Sequence, residues 1–249
     1  MDFLRAIGFL TVLPVRPRWD EHTAPGRAMA FYPLTGALIG GGLAALAYLL
    51  GMSRLPLAAP LLPAALILAA WVGITGGLHL DGWADCCDAL FVPASRERRL
   101  EILRDPRLGS FGGIGLASLL IVKLAAIQGI AALPERWLLL LVIPPTARWA
   151  LVIAARAFPL ARPDGMAASY RKGLGTRELV IATVTALLVT AVLFALTGWH
   201  ALIPIAVAPL VMLVMARLAI GRLGGLTGDV YGAIVELAET TALVAACLV

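Results

Sequence analysis

The stretch His79-Leu80-Asp81-Gly82-Trp83-Ala84-Asp85-Cys86-Cys87-Asp88 sets three carboxylates against the end of a long apolar segment. At 100° per residue, Asp81, Asp85 and Asp88 fall at roughly 0°, 40° and −20° around a helix, so all three project from one narrow face. Like charges this close require a cation. Hard oxygen donors presented together suit Mg2+, with Mn2+ as the alternative, and such an ion binds phosphate oxygens and stabilises charge that develops during phosphoryl or phosphodiester transfer. The blander reading is an acidic, solvated first turn that meets the helix macrodipole. It accounts for one or two of the acids and leaves the repulsion of the third uncompensated.

Three further groups could join such chemistry. Arg104-Asp105-Pro106-Arg107-Leu108-Gly109-Ser110-Phe111-Gly112-Gly113 combines two guanidinium groups with a glycine-rich entry into an apolar run. Arginine forks and free helix N-terminal N–H groups both favour phosphate, although a basic loop closed by ordinary turn residues fits the composition equally. Gly224-Gly225-Leu226-Thr227-Gly228-Asp229-Val230-Tyr231-Gly232-Ala233 leads into a helix carrying Glu236 and Glu239. Its glycines would serve close packing, but acids inside a membrane helix are costly and mark ion or substrate paths. Asp229 is therefore a candidate ligand and Thr227 a candidate substrate contact. Lys123, about 19 Å along its helix, and Arg148, just after Pro144-Pro145, should face a polar cavity, paired with those acids or with a phosphate unless they snorkel. His79 lies roughly 160° from Asp81 on a continuous helix, so it joins the carboxylates only if the helix restarts near Asp81-Gly82; otherwise it bonds a neighbouring helix. Arg96, Arg98 and Arg99 read as headgroup and topology charges.

The elements that must position these residues follow from composition. Of 249 residues, 61% are hydrophobic and 14% charged, and the mean hydropathy is +0.92. This is an all-α polytopic membrane protein, since open sheets cannot satisfy their backbones in lipid. About seven stretches approach the ~20 residues that span a bilayer: 29–52, 57–80, 110–133, 137–158, 179–198, 200–220 and 230–249. Short connections at Ser53-Arg54, Pro134-Glu135-Arg136 and Gly198-Trp199-His200 make the flanking pairs hairpins. Phe3 to Val15 is too short to span and reads as an interfacial or re-entrant helix.

Lys and Arg concentrate around Arg5 to Arg27, Arg96 to Arg107, Arg162 to Arg177 and Arg222, against Arg54 and Arg136 on the other side. Positive loops stay in the cytoplasm, so the N-terminus is cytoplasmic and every motif lies on that side. One integral membrane domain covers 1–249, with 1–28 a cytoplasmic or interfacial segment and 81–109 and 221–229 cytoplasmic catalytic loops. The net charge of +5 reports topology and not nucleic-acid binding, because no basic groove with interleaved aromatics is present. Adjacent Cys86 and Cys87 cannot form a zinc pair and are expected as free thiols, as is Cys247.

Four of these segments together resemble the cobalamin synthase family, the adenosylcobinamide-GDP ribazoletransferases of late coenzyme B12 assembly. They are Phe3-Leu4-Arg5-Ala6-Ile7-Gly8-Phe9-Leu10-Thr11-Val12-Leu13-Pro14-Val15, Gly76-Gly77-Leu78-His79-Leu80-Asp81-Gly82-Trp83-Ala84-Asp85, Arg104-Asp105-Pro106-Arg107-Leu108-Gly109 and Gly224-Gly225-Leu226-Thr227-Gly228-Asp229. Trp83, Cys86-Cys87 and Ala89 depart from the smaller residues of that pattern and bear on local packing. The resemblance implies attack by the 3′-hydroxyl of α-ribazole, or of its 5′-phosphate, on the pyrophosphate of adenosylcobinamide-GDP, with GMP leaving. It implies metal at Asp81, Asp85, Asp88 and Asp229, phosphate contacts at Arg104 and Arg107, and a site at the cytoplasmic face of the bacterial inner membrane. Lipid surrounds such a protein, and small-residue faces such as Gly36, Gly40, Gly41 and Gly42 permit a homo-oligomer, or association with other cobamide-assembly enzymes, as readily as internal packing. Two other classes compete. A CDP-alcohol phosphotransferase also uses membrane-surface aspartates, but its motif has an Ala-Arg pair where Trp83-Ala84 follows Asp81-Gly82. A cation-coupled transporter would run its path through Lys123, Arg148, Glu236 and Glu239, and should show repeat symmetry that is not evident.

Overall fold

Apolar stretches of this length satisfy their backbone in lipid only by closing hydrogen bonds within the segment. The computed structural model, which describes residues 1–17, 24–52, 61–131 and 136–248, is accordingly a bundle of helices. Among the described residues the sole strand-type pairing is a parallel bridge between Leu160 and Leu226.

The chain opens with α1 (Asp2–Leu10), which buries Ala6, Ile7 and Leu10 and pairs Arg5 with Asp2 at 2.7 Å. A 3₁₀ segment at Pro25–Phe31 then leads into α2 (Tyr32–Met52). Next come α3 (Leu62–Thr75), α4 (Leu78–Leu90), the short α5 (Arg96–Ile102) and α6 (Ser110–Ala131). A second 3₁₀ segment, Arg136–Leu141, precedes α7 (Ile143–Ala157), followed by α8 (Met166–Arg171), α9 (Thr176–Thr197), α10 (Leu202–Leu223) and α11 (Gly228–Leu248).

Among the described residues five stretches are helical, long and apolar enough to cross a membrane, or six if a bent pair counts as one. The expected seven spans and this count divide the chain differently at two places. The expected span 57–80, described from residue 61 onward, is not followed by a loop at 81: α3 stops at Gly76 and Gly77, both at positive φ, and α4 leaves at 91°. Glycine tolerates that conformation without the Cβ clash that other residues suffer. The expected catalytic loop 81–109 is thus helical over most of its length, through α4 and α5. Thr176–Leu223, in turn, forms one apolar helical stretch broken by a 3₁₀ turn at Gly198–Ala201. The turn reverses the chain: α9 starts where Gly26 N–H donates to the Lys172 carbonyl, and α10 ends where Arg96 Nε donates to the Leu223 carbonyl, both at the end of the bundle that carries the acidic residues. The turns expected at Ser53-Arg54 and Pro134-Glu135 lie outside the described residues.

α7 and α11 form the interior. In the stretch Arg136–Ala157, which contains α7, and in α11, 78% and 72% of the most apolar part is buried, against 22% for the α9–α10 stretch, whose Leu188, Val192, Leu210 and Val214 face outward. One apolar cluster holds the end of the bundle around Leu10, Met29, Leu90, Leu151 and Ile234, and a second holds the far end around Ile127, Leu139 and Leu243. Cys86 and Ala89 are fully buried in the first cluster, Trp83 Nε1 donates to the Gly115 carbonyl at 3.0 Å, and all three cysteines are free. These departures from the family pattern therefore pack α4 onto its neighbours. Gly36 and Gly40 abut the backbone of residues 140–145 and so serve internal packing.

The basic residues do more than set topology. Arg99 donates to the Ala89, Leu90 and Ala94 carbonyls, Arg222 to Leu90, Arg171 to Phe158, and Arg96 to Leu223 and Ala161. Cations on the exposed carbonyls of helix C-termini satisfy orphan acceptors and complement the dipole. Arg96 and Arg99 are thereby helix staples and not the headgroup charges expected; Arg98 is exposed and pairs with Glu101 at 2.8 Å.

Candidate active site

Two glycines allow the site to form. A Cβ on Gly82 would lie 2.8 Å from the Asp229 carbonyl oxygen, and one on Gly232 would lie 3.1 Å from the His79 carbonyl oxygen, so α4 and α11 cross nearly backbone to backbone. This crossing brings Asp81 and Asp85 from one helix beside Asp229 from the first turn of the other. Asp85 stands in the field of Asp81, Asp229 and Asp88, and among the described residues none of these four carboxylates forms an ion pair. Thr227 Oγ1 donates to Asp229 Oδ2 at 3.0 Å and accepts from the Val230 N–H at 3.4 Å, which holds the start of α11. The three expected α4 aspartates and Asp229 of α11 are thus near enough to act on one another through Asp85.

Asp88, however, is already engaged. Its two carboxylate oxygens accept from the Gly109 and Gly112 N–H groups, each at 2.8 Å, at the N-terminus of α6. A carboxylate there satisfies orphan donors and meets the positive end of the dipole. The glycine-rich entry expected to cradle a phosphate thus holds an aspartate of the chain itself. Arg107 is exposed and turned to Asp105 at 2.6 Å, and that hydrogen-bonded guanidinium pulls the Asp105 carboxyl down to about 2. Arg104 reaches Asp164 at 3.4 Å, which places it at the edge of the site.

A pocket of about 260 Å3 opens beside Asp81 and Asp229. Thr227 and His79 also line it, as do Arg162, Asp164 and Tyr170 from the segment joining α7 to α9. The Leu160–Leu226 bridge, with Ala161 N–H donating to the Leu226 carbonyl at 2.9 Å, ties that segment to the loop before Asp229. Burial pushes the Tyr170 hydroxyl up to about 12, so it stays protonated. Reading the sequence left Arg162 among the topology charges and did not single out Asp164 or Tyr170. The available signal was an Arg-Pro-Asp-Gly turn between two spans, which says nothing of its partner loop.

Lys123 and Arg148 lie elsewhere, correcting their expected role as substrate contacts. Lys123 Nζ donates to Glu236 at 2.9 Å and to Glu239 at 2.6 Å, and Arg148 Nη1 donates to Glu239 at 2.6 Å, all four side chains being buried. Lys123 also lies 4.2 Å from the centroid of the Trp71 ring. Of the two partners foreseen, the acids are the ones found, and the charges that a transport path would use are engaged with one another. His79 does not need a helix restart to reach the site: α4 runs unbroken from Leu78, and the residue is among those lining the pocket while its ring stands in the field of Arg148, Glu239 and Lys123.

Among the described residues no three His, Cys, Asp or Glu side chains are gathered tightly enough to hold a metal ion as they stand. The donor set nevertheless suits one: Asp81, Asp85 and Asp229 are oxygen donors with no ion pair among the described residues, the kind of group that Mg2+ or Mn2+ takes.

The family model described as cobalamin-5-phosphate synthase matches residues 2–247. The chain belongs to that family. It is 40% identical to the adenosylcobinamide-GDP ribazoletransferase of Herpetosiphon aurantiacus over 96% of this chain and 92% of the relative. It is 36% identical to that of a Roseiflexus species over 96% and 86%, and 37% identical to that of Pseudomonas syringae pv. syringae over 100% and 99%. No solved structure matches the chain.

Proposed function

We propose that this chain joins adenosylcobinamide-GDP and α-ribazole, or α-ribazole 5′-phosphate, releasing GMP, at the crossing of α4 and α11. The family match and the printed names of the relatives support the reaction. The observation that carries the assignment of the site is the meeting of Asp81, Asp85 and Asp229, with no ion pair to any of them among the described residues, beside a pocket that also holds Arg162. Asp81, Asp85 and Asp229 would hold Mg2+, or Mn2+, which when bound neutralises pyrophosphate charge. Asp88, fixed on the α6 N-terminus, holds the carboxylate helix to its neighbour.

The chain's own part is positioning and proton transfer. The ribazole 3′-hydroxyl attacks the phosphorus bound to the cobinamide arm, a carboxylate of the cluster accepts its proton, and the P–O bond to GMP breaks. Arg162 supplies positive charge next to Asp229. The site faces the cytoplasm of the inner membrane, a placement supported by the arginine staples at its end of the bundle and the positive-inside tendency.

The test is mass spectrometry of products from liposome-reconstituted protein given adenosylcobinamide-GDP, α-ribazole and Mg2+, beside an EDTA control. Adenosylcobalamin with equimolar GMP, lost on chelation, is expected. Product formation unaffected by EDTA would remove the metal from the reading, and no product from folded protein would remove the reaction.

A further inference from the structure

The two loops that bring Arg162 and Asp229 to the site are joined by a side chain that belongs to neither. Residues 159–162 run beside 223–226: the Leu226 N–H donates to the Pro159 carbonyl and the Ala161 N–H to the Leu226 carbonyl, each at 2.9 Å, around the Leu160–Leu226 bridge. Glycine permits that approach, since a Cβ on Gly225 would run into the Leu160 backbone. Arg96, the first residue of α5, lies across the pair. Its Nε donates to the Leu223 carbonyl at 2.7 Å and its Nη2 to the Ala161 carbonyl at 3.1 Å. The first acceptor ends α10, and the second immediately precedes Arg162. One planar guanidinium fork thus spans both loops, passing so close that a Cβ on Gly224 would lie 2.9 Å from its Nε.

What this clamp does follows from the charges it keeps apart. Arg162 lies beside Asp229, lines the same pocket and has Nη1 buried without a hydrogen-bond partner, yet among the described residues it forms no ion pair. A guanidinium free to move beside a carboxylate would close on it as a bidentate pair, and each group would then be lost to substrate and metal. Backbone fixed on both sides, at Ala161 and at Leu223, keeps the two available. That is preorganisation, in which the charges are in place before the reaction begins. Arg96 itself is exposed, and the helices it ties are already packed through the two apolar clusters, so the packing of the bundle does not rest on it.

Resting on the transferase reading above, we propose that Arg96 is a positioning residue of that reaction. It touches no substrate and acts through Arg162, which it holds at the pocket to meet the charge that develops on the transferred phosphoryl group. The role is the same whichever substrate fills the pocket, because the transition state contains both.

A double-mutant cycle on the reconstituted enzyme tests this, with GMP release followed while each substrate is varied in turn and a melting curve recorded for each variant. Arg96→Ala should lower kcat roughly 10- to 100-fold, the scale of a misplaced charge in the transition state, and move KM for either substrate less than about threefold, with the melting midpoint within about 3 °C of the parent. Arg162→Ala should lower kcat at least as far. Adding Arg96→Ala to Arg162→Ala should then change kcat by less than about threefold, since a positioning residue has no effect once the group it positions is gone. Arg96→Lys keeps the charge but has no fork to span two carbonyls, and should stay close to Arg96→Ala. If Arg96→Ala lowers the folded yield, Arg96→Gln, which keeps a donor for a single carbonyl, makes the same cycle. A parent-like rate in Arg96→Ala, losses that multiply in the double variant, or full recovery in Arg96→Lys would each overturn the proposal with the transferase reading intact. A parent enzyme that releases no GMP would overturn that reading itself.

Discussion

Helix α11 carries two acidic clusters that behave in opposite ways. Asp229, in its first turn, meets Asp81 and Asp85 with no ion pair to any of them, next to a pocket. Glu236 and Glu239, about 10–15 Å further along the same helix, are buried and closed by Lys123 and Arg148. Two anions and two cations balance in the second cluster, and its short hydrogen bonds hold α6, α7 and α11 together. The first cluster has excess negative charge and an opening. Burial alone therefore does not distinguish a site from a strut; the presence or absence of a partner does.

The contrast can be broken from either side. Asp81→Asn should lower turnover at least ~10²-fold by removing charge stabilisation that matters in the transition state, with the thermal unfolding midpoint unchanged or higher because like-charge repulsion falls; product quantification beside a melting curve checks both. A rate near that of the parent would remove Asp81 from the mechanism. Glu239→Gln should do the reverse. It leaves Arg148 buried without its anion, a loss of about 3–5 kcal/mol measured by denaturant unfolding in detergent, while the folded fraction keeps most of its specific activity. Replacing Lys123 and Glu236 together with Met should be milder than either single change, since one charge of each sign goes.

Two smaller effects sharpen the boundary of the site. Asp88→Asn should lose roughly 0.5–2 kcal/mol as a helix cap and reduce turnover far less than Asp81→Asn, separating a residue that shares the face of Asp81 from the chemistry; an equal loss of rate would return Asp88 to the metal set. Arg107→Ala should leave turnover and stability at the parent level, because its charge is exposed and answered by Asp105. A raised KM in that variant would show that the loop reaches the substrate after all.

The class of the protein and the two acidic motifs are legible in the residues themselves, since apolar length and helical angle are local properties. Such local features single out Asp81, Asp85 and Asp229 as candidates. Helical angle also groups Asp88 with them, and the angle carries no knowledge of the α6 N-terminus whose Gly109 and Gly112 N–H groups donate to that carboxylate. Lys123 and Arg148 look the same in sequence whether they face phosphate or glutamate. Arg162 reads in the sequence as a topology charge because its place depends on a pairing between residues 66 apart, Leu160 and Leu226, which no local periodicity encodes. The break at Gly76-Gly77 was hidden inside an apolar run long enough to pass for a single span.

That break has an evolutionary consequence. Because α4 sets out from a fixed corner, one residue inserted between Gly77 and Asp81 would rotate the aspartates that follow by 100° and shift them by about 1.5 Å, away from Asp229. Length variation among related chains should therefore collect in the connections between spans and be rare between Gly76 and Asp88, so that this segment acts as a ruler within an otherwise elastic sequence.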